Sequence, residues 1–337
     1  MEFSHWPVTL ELRDTFRISR EASDRRENVL VKVVDESGTE GLGEAAPSGY
    51  YQQSADSVTQ ALSRISLTNV GDPFLLEDVL CDLSGKLRNQ RSALTAVDMA
   101  FYDLIGKRLG VPLYRLFGLN CDRIPATSFT IGIASPDEMR RKTERAADYR
   151  TLKVKLGTDN DREMISAIRD VSSVPLRVDA NAAWSVDEAL ENLKWLSDEG
   201  VELVEQPLSK DDLDGFRRLS DLSPLPIIAD ESAETPEDVV KLRGCVHGVN
   251  IKLNKCGGLR AAIEMIHVAR AQEMQIMLGC FIESSIGISA AAHLSPLVDY
   301  ADLDGHLLIR NDPFTGLRLQ GGRILPPDRP GLGIQPS

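Results

Sequence analysis

Histidine is scarce in this chain, which holds only five (His5, His247, His267, His293 and His306), none with a partner at helical i, i+4 spacing. That scarcity argues against a His-rich zinc or iron centre, so any bound metal is expected to be hard and held by oxygen. The five cysteines (Cys81, Cys121, Cys245, Cys256 and Cys280) are odd in number, far apart and without a C-x-x-C pair. They exclude a disulfide framework and a zinc knuckle and fit a reducing cytoplasm. No apolar run approaches the roughly 18 residues that a membrane span needs, and the N-terminal M-E-F-S-H-W-P lacks the basic and apolar regions of an export signal. Positive charge is also in deficit, with 38 Lys and Arg against 51 Asp and Glu for a formal net charge of −13. Such a surface repels phosphate backbones and anionic lipid, so neither a nucleic acid nor a membrane is expected as a partner.

What the chain does have is a rhythm. Short apolar, β-branched runs at 127–132, 151–155, 175–179, 201–205, 226–230, 248–253, 275–279 and 298–303 alternate with amphipathic helical stretches. Eight strand-helix units predict an α/β fold of the (β/α)8 barrel type over residues 121–310. The polar residues closing the units, Thr130, Lys155, Asp179, Glu205, Asp230, Lys255, Cys280 and Asp304, stand 24 to 26 apart. In a closed barrel that period delivers one residue per unit to a single rim, the C-terminal mouth where barrel enzymes keep their chemistry. Residues 1–120 read as an α+β capping domain, with period-2 strands joined by a polar loop from Phe16 to Glu27 and an apolar helix stripe through Ala93, Ala96, Val97, Met99 and Ala100. The turn-rich tail at 311–337 is expected to return to it.

Asp179, Glu205 and Asp230 end three successive strands in the settings D-A-N, E-Q-P and A-D-E-S. Forced into one mouth they would raise one another's pKa unless a cation neutralised them, and an all-oxygen set without histidine favours Mg2+. Lys153 and Lys155 share a strand face, and Lys252 and Lys255 lie four units later, across the circle. A metal from units three to five therefore has a lysine on either side. Two amines flanking a carboxylate suit removal of a proton from the neighbouring carbon on one face and its return on the other, with Mg2+ stabilising the enediolate charge. Two-base racemisation or epimerisation is the expected chemistry.

The stretches K-V-K at 153–155, D-A-N-A-A-W at 179–184, V-E-Q-P at 204–207, A-D-E-S at 229–232, I-K-L-N-K-C-G-G at 251–258 and G-C-F-I-E-S-S-I-G at 279–287 resemble the enolase superfamily, muconate lactonising subgroup. G-L-G-E-A-A-P at 41–47, A-V-D-M-A-F-Y-D at 96–103 and P-G-L-G at 330–333 extend that resemblance to nearly the whole chain. It implies Mg2+ on Asp179, Glu205 and Asp230, an acid/base pair of Lys155 and Lys255, Lys153 assisting the substrate carboxylate or tuning Lys155, and Glu283 lining the site.

The subgroup contains cycloisomerases, o-succinylbenzoate synthases, N-succinyl amino acid racemases and dipeptide epimerases, and shared motifs do not choose among them. D-L-D-G at 302–305 does. Asp302 and Asp304 share a face and suit a substrate ammonium, as the D-x-D of dipeptide epimerases does, with Thr130 on the same rim. Substrate is therefore expected to be a dipeptide inverted at the α-carbon of its C-terminal residue. The alternatives are o-succinylbenzoate synthase or N-succinyl amino acid racemase, whose substrates carry no free ammonium, and a non-catalytic metal-binding homologue. A homo-oligomer is compatible with the sequence. In Ala-Glu epimerases the resemblance places an Arg six positions before the acid that opens the next strand. Counting back from Glu27 reaches Glu21, with Arg20 beside it. A carboxylate at Glu21 facing the pocket would favour a neutral or basic C-terminal side chain, whereas a one-residue shift to Arg20 would favour an acidic one.

Overall fold

The computed structural model describes residues 1–87 and 89–337. Strands β1 (Glu2–Arg17), β2 (Ala22–Val34) and β3 (Glu40–Ala45) form an antiparallel sheet in that order. The alternation in N-V-L-V-K-V divides β2 between two cores: Val29, Val31 and Val33 pack among the cap helices, while Leu30 faces the barrel core. The helix Arg91–Leu109 lies directly on β3 because Gly41 and Gly43 carry no side chain. A Cβ at Gly43 would stand 1.8 Å from the Ala96 carbonyl oxygen, and one at Gly41 2.0 Å from that of Ala100.

The barrel follows as β4 (Phe129–Ile131), β5 (Leu152–Lys155), β6 (Leu176–Asp179), β7 (Val201–Glu205), β8 (Ile227–Ala229), β9 (Gly248–Lys252), β10 (Gln275–Gly279) and β11 (Tyr300–Asp302). These eight strands are parallel and adjacent in chain order, as the rhythm of the sequence predicts. Thr127 bridges to Ala301, and the Ser128 N–H donates to the Ala301 carbonyl at 3.1 Å, which brings the last strand back to the first. Inside, Leu203, Ile228 and Met277 pack with Tyr300 as an apolar plug. Two residues further along three of these strands the same inward direction falls to Glu205, Asp230 and Asp302, so the pleat that fills the floor also builds a polar rim. The tail runs back to the cap helix: the Leu332 N–H donates to Asp103 Oδ1 (2.8 Å), and Gly331 exchanges backbone bonds with Val111 and Leu113.

Two local expectations are corrected. The polar stretch Phe16–Glu27 is mostly strand, since β1 and β2 pair as far as Phe16 with Ser23 and Arg17 with Ala22, leaving only a tight turn closed by Ile18 N–H to Glu21 O at 2.9 Å. This ribbon is largely exposed on both faces and shows no apolar alternation. Backbone pairing and cross-strand contacts such as Thr15 Oγ1 to Asp24 (2.6 Å) hold it instead. The second concerns Lys255, which does not end a strand. β9 stops at Lys252, and Leu253–Cys256 forms one helical turn that carries Lys255. Among the described residues no helix is long and apolar enough to cross a membrane.

Candidate active site

Register places the first part of the site. Lys155 is the Cα partner of Asp179, and Asp179 that of Glu205, so three neighbouring strands end level, with Asp230 one residue beyond β8. All four side chains are buried. One carboxylate oxygen each from Asp179, Glu205 and Asp230 lies within 4.8 Å of the others, a spacing at which one cation can touch all three. Glu205 supplies a second sign of fit. Its Oε1 accepts from Asn250 Nδ2 at 2.8 Å, but its buried Oε2 has no hydrogen bond, because Lys153 Nζ approaches to 2.6 Å off the hydrogen-bond direction. Burial and the Asp179 charge push the Glu205 carboxyl up from its ordinary pKa, against the pull of Lys153. Asp179 is also pushed up by burial, yet Lys155 and Lys153 outweigh this and hold it low. Three hard oxygen donors, with Glu205 both short of a hydrogen bond at Oε2 and reluctant to ionise unaided, fit a divalent cation such as Mg2+.

The lysines stand on either flank of this triad. Lys155 Nζ donates to Asp179 Oδ2 at 2.5 Å. Lys255 Nζ reaches back from its turn to Asp230 Oδ1 (2.6 Å) and to the carbonyls of Asn250 (2.8 Å) and Asp230. Its displacement from the strand therefore does not remove it from the mouth. Lys153 is buried deeper and joins the two halves of the rim, with Nζ 2.7 Å from Asp302 Oδ2 and 3.3 Å from Asp179 Oδ2. Burial opposes the Lys153 charge, but Asp302, Glu205 and Asp179 together hold its pKa well above the ordinary lysine value.

Asp302, Asp304 and Thr130 line the same cavity, about 160 Å³ in volume. Ser128 Oγ donates to Asp302 (2.6 Å), and the Thr130 N–H donates to Asp304 Oδ2 (2.6 Å). Burial and Asp302 raise the pKa of Asp304, so this pair gains from a cation placed between them. Like Asp179, Glu205 and Lys255, Glu283 is buried and not among the residues that line this cavity. Its carboxylate accepts from the Phe281 N–H at 2.8 Å, against Gly287 and near Glu44, and burial followed by the Glu44 charge pushes it up to about 8. The turn after β10 leaves Cys280, Phe281 and Ile282 lining the cavity.

The hairpin turn separates its two candidates. Arg20 points inward, over the Tyr50 ring (4.4 Å), and donates to the Asn181 carbonyl (3.1 Å) and Glu231 Oε1 (2.6 Å). Glu21 lies at the cavity edge, 53% exposed and paired with Arg26 at 2.5 Å. The inward charge at this turn is thus the arginine, the second of the two registers that the sequence left open, with Glu21 at the edge of the same cavity.

Gln206, Asn181 and Asn250 escaped the sequence reading, which named Lys252 only as a lysine across the circle from Lys155. Gln206 Oε1 accepts from the Asp230 N–H (2.8 Å), and Lys252 Nζ lies 2.7 Å from Asp230 Oδ2 and over the Phe281 ring (5.1 Å). Asn181, beside Asp179, holds a left-handed φ of 48°. The signal for Asn250 and Lys252 was present, as polar residues at alternate positions of a strand otherwise made of Gly, Val and Ile.

Two family models cover most of the chain: mandelate racemase / muconate lactonizing enzyme, N-terminal domain, over residues 3–118, and enolase C-terminal domain-like over 137–337. The L-Ala-D/L-Glu epimerase of Bacteroides thetaiotaomicron is 43% identical over 336 residues, spanning 99% of this chain and 88% of that protein. A substrate-liganded structure of the L-Ala-D/L-Glu epimerase from Bacillus subtilis superimposes with a TM-score of 0.92 at 33% identity, covering 99% of this chain and 98% of that one. A dipeptide epimerase from Enterococcus faecalis, complexed with Mg and L-Leu-L-Tyr, gives 0.92 at 30% identity, with the same two coverages. With both domain models matched and a relative this similar along its whole length, the chain belongs to the enolase superfamily, in its mandelate racemase and muconate lactonizing branch.

Proposed function

We propose that this isomerase is a Mg2+-dependent dipeptide epimerase, inverting the α-carbon of the C-terminal residue by a two-base transfer of one proton. The observation that carries the reading is the placement of Lys155 and Lys255 on opposite flanks of the Asp179, Glu205 and Asp230 triad, with the Asp302 and Asp304 pair beside them. Bound by the three carboxylates, Mg2+ would supply Lewis-acid stabilisation of the negative charge that develops on the substrate carboxylate.

The chain's own residues supply the rest. One lysine, neutral, takes the α-proton, and the C–H electron pair moves into the adjoining carboxylate as an enediolate. The other lysine, protonated, donates to the opposite face, so the configuration inverts and the two amines exchange protonation states. Asp179 aims Lys155, while Asp230 with the Asn250 carbonyl aims Lys255, which fixes both amines before substrate arrives. Lys153, held by Asp302, adds positive charge on the substrate side of Glu205. Asp302 and Asp304 receive the N-terminal ammonium. Tyr50 and Phe281, at the edge of the cavity, screen it from water.

Incubation of the protein with Mg2+ and dipeptides in deuterated water tests this. Gain of one deuteron at the C-terminal α-carbon and appearance of the second diastereomer are expected. Dehydration of an o-succinylbenzoate precursor, or racemisation of N-succinyl amino acids, with no exchange into any dipeptide, would overturn it.

A further inference from the structure

A second cavity of about 340 Å³ opens beneath the hairpin and meets the central one at Phe16, Thr130 and Leu308, which line both. Its walls are apolar, with Leu12, Ile131 and Phe129, the last stacked on Tyr149 at 4.3 Å. Its rim is cationic: Arg13, Lys142 and Arg145 stand against a single acid, Asp14, in a chain whose net charge is −13. Two of these cations are already engaged. Arg145 pairs with Asp14 (3.3 Å) and Glu138 (3.6 Å), and Arg13 Nε donates to the Leu307 carbonyl (3.1 Å). Lys142 is different. It is half-buried, and burial lowers its pKa against the pull of the nearby Asp14 and Glu138 charges, neither of which makes a hydrogen bond or a close ion pair with its amine. A partly desolvated cation with no direct contact to a counter-ion costs stability that an apolar side chain at the same place would not.

We propose that this annex receives the side chain of the dipeptide's N-terminal residue, and that Lys142 reads a carboxylate at its tip. The enzyme would then take N-terminal glutamate-like residues and not alanine alone. The inference rests on the epimerase reading, in which the N-terminal ammonium sits at Asp302 and Asp304. Thr130 links the two places: its N–H holds Asp304 at 2.6 Å, and the same residue forms part of the annex wall. An ammonium at Asp304 therefore sets the N-terminal α-carbon beside the opening. A methyl group would leave the annex unfilled, whereas a longer side chain can lie along Leu12 and Ile131 and bring an acid to the rim.

The test compares L-Ala-L-Leu, L-Glu-L-Leu and the near-isosteric L-Met-L-Leu as substrates for the Mg2+-loaded enzyme, reading deuterium uptake at the leucine α-carbon. Wild type is expected to favour Glu-Leu over Met-Leu in kcat/KM by about tenfold, the scale of one partly desolvated ion pair. Lys142→Met and Lys142→Gln should both bring that ratio close to one, and Lys142→Glu should move the preference to L-Lys-L-Leu. Exchange of Ala-Leu with none of Glu-Leu or Met-Leu, or an unchanged ratio in the variants, would overturn the annex while leaving the epimerase reading intact. No exchange with any of the dipeptides would overturn both.

Discussion

The barrel rim and the hairpin turn face one cavity but are held in different ways. On the rim, Asp179, Glu205, Asp230, Lys153 and Lys255 are all nearly inaccessible, and each is tied to charged or polar neighbours from adjoining strands. At the turn, the Arg20 side chain is 34% exposed and rests on one salt bridge and one carbonyl, and Glu21 on one exposed pair. Groups that must be placed to a fraction of an ångström sit at strand ends, or just beyond them for Asp230 and on a helical turn for Lys255, where buried neighbours leave them little freedom. Groups that meet the variable part of a substrate sit on an exposed turn. A substitution on the rim should therefore act on the chemistry for every substrate, and one at the turn on the choice among substrates.

The sharpest break of this contrast is removal of a rim lysine. Lys155→Ala and Lys255→Ala should each lower epimerisation by about a thousandfold or more, the scale of a lost general acid or base. Each variant should still exchange the α-proton of the one diastereomer that faces its surviving amine. Following proton exchange and diastereomer interconversion separately by NMR checks this, and normal epimerisation by both variants would end the two-base mechanism. Asp179→Asn should lower turnover by a comparable factor through lost Mg2+ affinity, readable by calorimetric titration with the ion. Full activity in excess chelator would remove the metal from the account.

A smaller effect tests the far side of the rim. Acylation of the dipeptide's N-terminus removes the charge that the proposed mechanism assigns to Asp302 and Asp304, and kcat/KM should fall by about a hundredfold. An N-acetyl or N-succinyl substrate handled better than the free dipeptide would contradict the assignment of this pair.

The same contrast explains what could be read from sequence. The eight strands were legible because a parallel barrel buries both faces of each strand, and the β-branched runs that result stand out from amphipathic helices. The rim was legible through its spacing, since each unit repeats at nearly constant length. Lys255 kept the period although its strand ends at Lys252, because one helical turn replaces the missing strand residues without changing the count. For Glu283 only the resemblance spoke, and it says nothing of the turn that follows β10, where the carboxylate accepts from the Phe281 N–H. The hairpin was hidden for another reason. A two-stranded ribbon with solvent on both sides needs no apolar alternation, and without a pattern its register cannot be counted, which is why Glu21 and Arg20 both stood as candidates for the pocket.

That open register turns into the mildest and most specific test. In the folded chain Arg20 lies within the cavity but is committed to Glu231, so an acidic substrate side chain must compete with that carboxylate for the guanidinium. The competition makes Arg20 a modest discriminator. A partly exposed pair carries little net energy, and exchanging one partner for another recovers most of what is given up. Arg20→Gln should therefore reduce kcat/KM for L-Ala-L-Glu relative to L-Ala-L-Leu by about tenfold at most, with the larger share in KM. Glu21→Gln should change the same ratio by less than about threefold, because its charge is exposed and already paired with Arg26. Comparing Ala-Glu, Ala-Leu and Ala-Lys across wild type and both variants settles which residue faces the substrate. A larger effect from Glu21→Gln than from Arg20→Gln, together with a wild-type preference for Ala-Lys, would mean that the turn shifts by one residue when substrate binds.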